Sequence, residues 1–270
     1  MLLNLIGSEG FIGKAIKKNV LDFNLHCWSH KINKEENKFD LYDENSWKKL
    51  LNSSPKNVLL LSWPGLPNYD RNFHLEKNLP ASIRLVENLV NSGCENIVIS
   101  GTCYEYGMRT GALRENMKVN PVNSYALAKD YLRKKVQAIC DKNNVKWAWS
   151  RIFYPYGVGQ NKNSLYPSLL KAIEDNEKQF KMSSGKQIRD FISVDEVASN
   201  LLFLCNKKNA CGIFNCGSGQ PISITKFVEN IIKIKKSNIH LKKNFYSDRN
   251  DEPDEFWADM TKFNLLSKEY

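Results

Sequence analysis

Tyr125 and Lys129 stand four residues apart in Ser124-Tyr-Ala-Leu-Ala-Lys129, a spacing that on a helix sets two side chains on one face. A phenol ordinarily ionises near ~10, and a neighbouring ammonium favours the phenolate, so Lys129 is expected to lower the pKa of Tyr125. Such a pair is a candidate general acid/base. Thr102 ends the apolar run Ile97-Val-Ile-Ser-Gly-Thr102 and brings a hydroxyl to the same place if that run is a parallel strand with its tip facing a ligand. Spacing by itself is equally consistent with a half-buried Tyr beside a solvated Lys. The elements around the pair have to decide.

Leu2 to Ile6 is apolar, breaks at Gly7-Ser-Glu-Gly10-Phe-Ile-Gly13 and resumes with the helical pattern Ala15, Ile16, Val20, Leu21. Strand, tight turn and helix in that order make a cradle for the pyrophosphate of a dinucleotide, with helix N–H groups and dipole facing the phosphates. Gly7, Glu9, Gly10, Phe11, Ile12 and Gly13 are the candidate cradle residues; Ser8 stands where the usual fingerprint has its second glycine. Leu25 to Trp28 reads as the second strand and ends in Ser29-His30-Lys31. A carboxylate there would favour NAD; a hydroxyl and two cations favour the 2′-phosphate of NADP(H), with NAD(H) as the alternative. Phe39-Asp40-Leu41 reads as a short third strand, with Asp40 and Leu41 bordering the adenine.

Asn57 to Ser62 is continuously apolar, as a parallel strand covered on both faces requires, and Ser62, Trp63 and Pro64 end it at the cofactor edge. Pro80 to Ser92 reads as a helix, Ile97 to Thr102 as the fifth strand, Ser124 as the start of the helix carrying Tyr125, Val145 to Phe153 as a further strand, and Tyr154 to Gly157 as its exit loop. The alternation predicts an α/β fold: a doubly wound parallel sheet of the Rossmann kind. A smaller C-terminal substrate-binding lobe accompanies it. The expected division is a dinucleotide-binding domain at 1–157, to which 190–216 returns, and a lobe made of 158–189 and 217–270.

The 270 residues carry a formal net charge of +10. Basic residues are scattered among Asn and Glu without an aromatic stripe, which argues against nucleic acid and suits a small polyanion. Seven cysteines, odd in number and without paired knuckles, together with four histidines, argue against a zinc site. Cysteines inside apolar runs, the absence of a signal h-region and the lack of any run near ~20 apolar residues predict a cytoplasmic protein that does not enter a membrane.

Taken in order, Gly-x-x-Gly-Phe-Ile-Gly13, Thr102 five residues before Gly107, Tyr125-x-x-x-Lys129, Arg151-Ile-Phe-Tyr-Pro-Tyr-Gly157 and Arg189-Asp-Phe-Ile-Ser-Val-Asp195 resemble the extended short-chain dehydrogenase/reductase family of nucleotide-sugar epimerases, dehydratases and reductases. The resemblance implies that Tyr125 is the catalytic acid/base, that Thr102 hydrogen-bonds the reacting oxygen, and that Lys129 holds the nicotinamide ribose. It also implies cofactor contacts at Asn78 and Phe153, substrate contacts at Cys103, Tyr104 and Tyr154, and a diphosphate clamp of Arg189 and Arg249. A homodimer through the helices near Ser82–Asn91 and Tyr125–Cys140 is implied as well. Tyr154 departs from the Asn that many members carry in this exit loop, which leaves the usual diphosphate contact open.

The two residues after Thr102 narrow the reaction. Family dehydratases have an Asp-Glu pair there; this chain has Cys103-Tyr104. The Cys and His of ring-carbon epimerase-reductases are not matched either. The remaining pattern is most similar to small reductases of nucleotide-linked 4-keto-6-deoxy sugars, such as CDP-paratose and CDP-abequose synthases and dTDP-fucose-forming enzymes, which serve surface polysaccharide. The alternatives are an NAD-dependent C4 epimerase of the same fold and a non-catalytic dinucleotide sensor.

Overall fold

A computed structural model describes residues 1–31, 37–248 and 252–268. In chain order the elements are β1 (Leu2–Ile6), α1 (Phe11–Asn19), β2 (Asn24–Trp28), α2 (Lys48–Asn52), β3 (Asn57–Leu60), α3 (Leu79–Asn91), β4 (Asn96–Thr102), β5 (Gly111–Leu113), α4 (Ser124–Lys142), β6 (Lys146–Ile152) and β7 (Tyr154–Tyr156). Next come α5 (Leu165–Glu174), β8 (Gln179–Lys181), β9 (Ile188–Ser193), α6 (Val194–Asn206), β10 (Gly212–Cys216), β11 (Pro221–Ser223), α7 (Ile224–Ile234), β12 (His240–Lys242), β13 (Phe256–Ala258) and α8 (Thr261–Lys268).

Six strands form one parallel sheet in the order β10-β6-β4-β3-β1-β2. The chain winds outward from β1 to β2, then crosses back to β3. This reversal opens a crevice at the carboxyl ends of β1 and β3, where such sheets bind ligands. The doubly wound α/β expectation therefore holds. Every residue of β4 is buried, because apolar layers cover both faces. One layer gathers Leu85, Val86, Leu89, Leu132, Val136 and Trp149 around α3 and α4; the other gathers Ile16, Ala198, Leu201 and Phe214 around α1 and α6. Each fully buried large apolar side chain contributes roughly 1.5–3 kcal/mol to this core.

Two strand expectations are corrected. Phe39-Asp40-Leu41 is not a strand: after one parallel bridge between Ser29 and Lys38 the chain turns. Asp40 drives the turn, its carboxylate accepting Tyr42 N at 2.9 Å and its carbonyl accepting Trp47 Nε1 at 2.7 Å. Phe39 and Leu41 go into the core on either side. Ile97–Thr102 is thus part of the fourth strand, not the fifth. The segment after Phe153 is not a plain loop, since β7 pairs in parallel with β9 and β9 pairs antiparallel with β11. A separate apolar cluster, Leu169, Phe180, Phe227, Val228 and Ile231, holds α5, β8 and α7 together. No helix among the described residues is long and apolar enough to cross a membrane.

The glycine turn is tightest at two points. Gly7 has φ +93, and a Cβ there would sit 2.9 Å from Ser62 N at the end of the adjacent strand; at Gly13 a Cβ would sit 2.3 Å from Gly7 O. Backbone, which cannot swing aside, is the obstacle in both cases. Gly13→Ala should therefore push α1 off β1, costing about 2 kcal/mol or more and weakening dinucleotide binding. A thermal melt and a cofactor titration of the variant check this.

Candidate active site

Thr102 sits at the carboxyl tip of β4, where its hydroxyl accepts Tyr104 N at 3.3 Å and starts the 3-10 turn Cys103–Tyr106. Glu105 completes a capping box: its Oε1 accepts Thr102 N at 3.0 Å. The Glu105 carboxylate is fully buried, and it also takes Trp149 Nε1 at 2.8 Å and Arg151 Nε at 2.8 Å. Trp149 and Arg151 are two apart on β6 and so face the same side of the sheet. A buried charge with three donors in place is satisfied. Sequence reasoning passed over Glu105, although Thr102-x-x-Glu105 is a readable capping pattern.

Helix α4 starts at Ser124 because Asn123 Oδ1 accepts Ala126 N at 2.8 Å. Tyr125 lies in the first turn, where backbone N–H groups have no intrahelical partner; its N–H goes to Tyr69 O at 2.8 Å. Buried positions Tyr125, Ala128, Lys129, Leu132, Val136 and Cys140 run along one face. Tyr125 and Lys129 therefore both point into the site, with relative exposures of 7% and 3%. Lys129 Nζ donates to Ser100 O at 2.8 Å and lies 4.1 Å from the centre of the Trp63 ring. The Trp63 ring is 6.0 Å from that of Tyr125.

The direction of the Tyr125 shift is opposite to the expectation. Burial pushes the phenol well above its ordinary range, Tyr69 adds to this, and a hydrogen bond with Thr102 opposes it. Lys129 is itself pushed down, to about 7, by burial, with Glu105 pulling the other way. Both groups are walled by rings, and burial is the largest cause of the shift in each.

Around the glycine turn, Gly10 caps α1 in an extended conformation, while Phe11 and Ile12 form its first turn. Ser8 is buried with its hydroxyl 3.5 Å from Trp28 O, and Glu9 pairs with Lys17. The close backbone approach at Gly7, the helix N-terminus behind it and Ser62 just past the end of β3 fit a dinucleotide diphosphate. At the end of β2, Ser29 is buried and its Oγ accepts Lys31 N at 3.3 Å, while His30 and Lys31 are exposed. Asp40 is exposed, and Leu41 is a core residue. Asn78 is buried, donating to Pro64 O at 2.9 Å and accepting from the Tyr42 hydroxyl. Phe153 is packed against Tyr106 and Phe256.

On the substrate side, the structure ties the candidates to one another. Tyr104 donates to Glu252 at 3.4 Å, Tyr154 donates to the same carboxylate, and Arg189 reaches it at 3.1 Å. The Arg189 guanidinium also donates to Tyr154 Oη at 3.0 Å and to the carbonyls of Ile188 and Asp254. With 1% exposure it is an internal strut in this conformation. Burial raises the pKa of Tyr104 and Tyr154, and Glu252 adds to both, so they are hydrogen-bond donors. Cys103 is buried beneath them. Arg249 lies outside the described residues. Glu252 and Tyr69 were not anticipated; Tyr69 bridges the two halves, its ring 5.2 Å from Tyr104 and 5.6 Å from Tyr125.

A lysine whose folded pKa lies below its unfolded value binds its proton less readily when folded. Stability from Lys129 therefore rises with pH from about 7 towards the unfolded value near ~10.4. Lys129→Met should remove that slope, up to about 1.4 kcal/mol per pH unit. Urea denaturation of both proteins across this window checks it.

The chain matches the NAD dependent epimerase/dehydratase family over residues 4–217. It is 26% identical over 277 residues to dTDP-6-deoxy-L-talose 4-dehydrogenase (NAD(+)) of Aggregatibacter actinomycetemcomitans, covering 96% of this chain and 99% of that one. To dTDP-4-dehydro-6-deoxyglucose reductase of Escherichia coli it is 26% identical over 263 residues, covering 87% and 82%. Among solved structures, RMD from Pseudomonas aeruginosa complexed with NADPH superposes with a TM-score of 0.83 at 19% identity, covering 98% of this chain and 92% of that one, a likeness of fold. The family match runs from within β1 to just past the end of β10, taking in the whole parallel sheet and the tip where Thr102, Tyr125 and Lys129 meet; the protein is an oxidoreductase of the NAD-dependent epimerase/dehydratase family, within the extended short-chain dehydrogenases/reductases.

Proposed function

We propose that the protein uses NADPH to reduce the C4 ketone of a nucleotide-diphospho-4-keto-6-deoxy sugar, in the making of deoxysugars for surface polysaccharide. The observation that carries this reading is the Tyr125 phenol, kept protonated by burial beside the strand tip that bears Thr102 and one helical turn from Lys129. Reduction needs a proton donor at the ketone oxygen, and a neutral phenol is one. A nicotinamide cofactor held at the glycine turn would supply the hydride; the side chains handle the proton. Tyr125 gives its proton to the oxygen as negative charge develops there. Thr102, whose oxygen already accepts Tyr104 N, has its own proton to donate to the same oxygen. The Lys129 charge stabilises the phenolate left behind, and its ammonium would hold the ribose of the nicotinamide cofactor.

The talose dehydrogenase and the dehydro-deoxyglucose reductase both carry names of deoxysugar C4 oxidoreductases, which supports the substrate class. Residues 1–157 and 190–216 would hold the cofactor, and 158–189 with 217–270 the sugar nucleotide. His30 and Lys31 at the end of β2 support NADP(H). The rival reading is an NAD-retaining C4 epimerase, favoured by relatives that carry the names of nucleotide-sugar 4-epimerases. Cofactor that stays bound through purification and no net consumption of reduced nicotinamide would select it. A homodimer through α3 and α4 belongs to the same proposal, and the exposed Tyr131 ring on α4 supports it.

The decisive assay follows 340 nm absorbance with NADPH and a panel of CDP-, dTDP-, GDP- and UDP-4-keto-6-deoxy sugars, with NMR of the product. Tyr125→Phe should cut turnover by roughly 10²–10⁴-fold with NADPH affinity kept; full activity would refute the role. Replacing His30 and Lys31 by acidic residues should weaken NADPH roughly tenfold and leave NADH little changed. An unaltered NADPH/NADH preference would refute the proposed 2′-phosphate pocket.

A further inference from the structure

The Lys129 ammonium is buried with one backbone carbonyl and the face of an indole as its near partners: Ser100 O at 2.8 Å and the Trp63 ring centre at 4.1 Å, with Trp149 further off at 5.8 Å. Glu105, the nearby carboxylate, is committed to Thr102 N, Trp149 and Arg151. The Trp63 ring is in turn held. Its Nε1 donates to His74 Nδ1 at 3.2 Å, and the two rings lie nearly parallel, 17° apart with centres separated by 6.1 Å. An indole N–H can only donate, so Nδ1 is the acceptor and the proton sits on Nε2, which donates to Asn68 O at 2.8 Å. Asn78 Nδ2 lies 3.2 Å from the same Nδ1 and fixes Pro64 through its carbonyl. Protonating His74 would set two N–H groups against each other; burial, and more weakly the Lys129 charge, keep it neutral against the pull of its bond to Asn68 O.

We propose that Trp63, locked by neutral His74, is a positioning residue: its π face is the counter-pole that keeps the Lys129 ammonium charged and aimed along the Tyr125 face of α4. A ring quadrupole attracts a desolvated cation within about 6 Å, and here it stands where an ion-paired carboxylate would otherwise be needed. Among the described residues, the titratable groups around Lys129 include Glu105 from the turn after β4, itself paired with Arg151 on β6 and Arg133 on α4, His74 from the π-helical turn 74–78 and Tyr125 on its own helix. Of these, Glu105 favours the charged form and His74 is neutral. Taking the ring away should therefore drop the pKa of Lys129 further. The consequence for turnover rests on the reductase reading; the hold of the ring on the ammonium does not.

The test is the titration of Lys129 by ¹H–¹³C NMR in protein labelled at lysine Cε, its signal assigned by its loss in Lys129→Met. Trp63→Leu should lower the titration midpoint by roughly half to one pH unit, while Trp63→Phe, which restores a π face, should return most of the shift. An unmoved midpoint in Trp63→Leu, or an equal drop in Trp63→Phe, overturns the proposal. Melts are recorded alongside, and if Trp63→Leu does not fold, Trp63→Met takes its place with the same two outcomes. The alkaline limb of kcat with NADPH is then compared. A limb that follows the NMR midpoint ties the ring to turnover; a midpoint that moves while the limb stays leaves the ring's hold on Lys129 intact and removes Lys129 from the reductase mechanism.

Discussion

A carboxylate with no exposure to water, that of Glu105, joins the tips of β4 and β6 and the turn that carries Thr102. Losing one partner of such a buried cluster costs about 3–5 kcal/mol, because the remaining charge stays unpaired in a low-dielectric interior. That cost makes the carboxylate a constraint as well as a bond. Gly101 is held to glycine by it, since a Cβ there would lie 2.8 Å from Glu105 Oε1 and 2.1 Å from Trp149 Nε1. Thr102 cannot shift along β4 without breaking its N–H bond to Glu105. The hydroxyl is therefore presented by a rigid strand end, and the reacting geometry depends on the strand register between β4 and β6 rather than on a loop.

Desolvation sets the character of the site. Trp63, Tyr69, Tyr104, Tyr125 and Tyr154 make a continuous aromatic wall from Lys129 to Arg189. Within it burial keeps the Tyr104, Tyr125 and Tyr154 phenols protonated, and an ammonium is hard to keep charged. A neutral acid waiting beside a barely retained cation is suited to donating a proton once negative charge develops on a substrate oxygen. The same burial costs stability. Here the functional group and the stability term are the same atom, Lys129 Nζ.

Two more buried polar groups tie the remainder of the chain together, Asp190 on β9 and Asn215 on β10 of the parallel sheet. Asp190 accepts Ser218 N at 2.6 Å, Gly219 N at 3.0 Å and Ala258 N at 3.0 Å. Asn215 donates to Leu113 O at 2.7 Å and Asp259 O at 3.1 Å and accepts from the Tyr106 hydroxyl at 2.7 Å. Each uses one side chain to satisfy backbone from segments distant in sequence, where an unpaired group would cost about 1–3 kcal/mol. Glu252 does the same for side chains, drawing Tyr104, Tyr154 and Arg189 together. The substrate side of the cleft is thus built from long-range contacts.

Local pattern in the sequence was enough for the doubly wound sheet, the glycine turn after β1 and the shared face of Tyr125 and Lys129, because strand and helix periods and glycine sterics act over a few residues. It failed at Phe39–Leu41, where a side-chain turn at Asp40 overrode an apolar strand pattern, and after Phe153, where β7 exists because β9 lies beside it. The chemistry of the individual groups was also out of its reach. That Tyr125 is raised rather than lowered, that Arg189 is occupied by Glu252, and that Trp63 and His74 stand under Lys129 are all decided by which distant segments pack together. Charge and hydrogen bonding in a low-dielectric interior depend on neighbours in space, and spacing along the chain does not specify them.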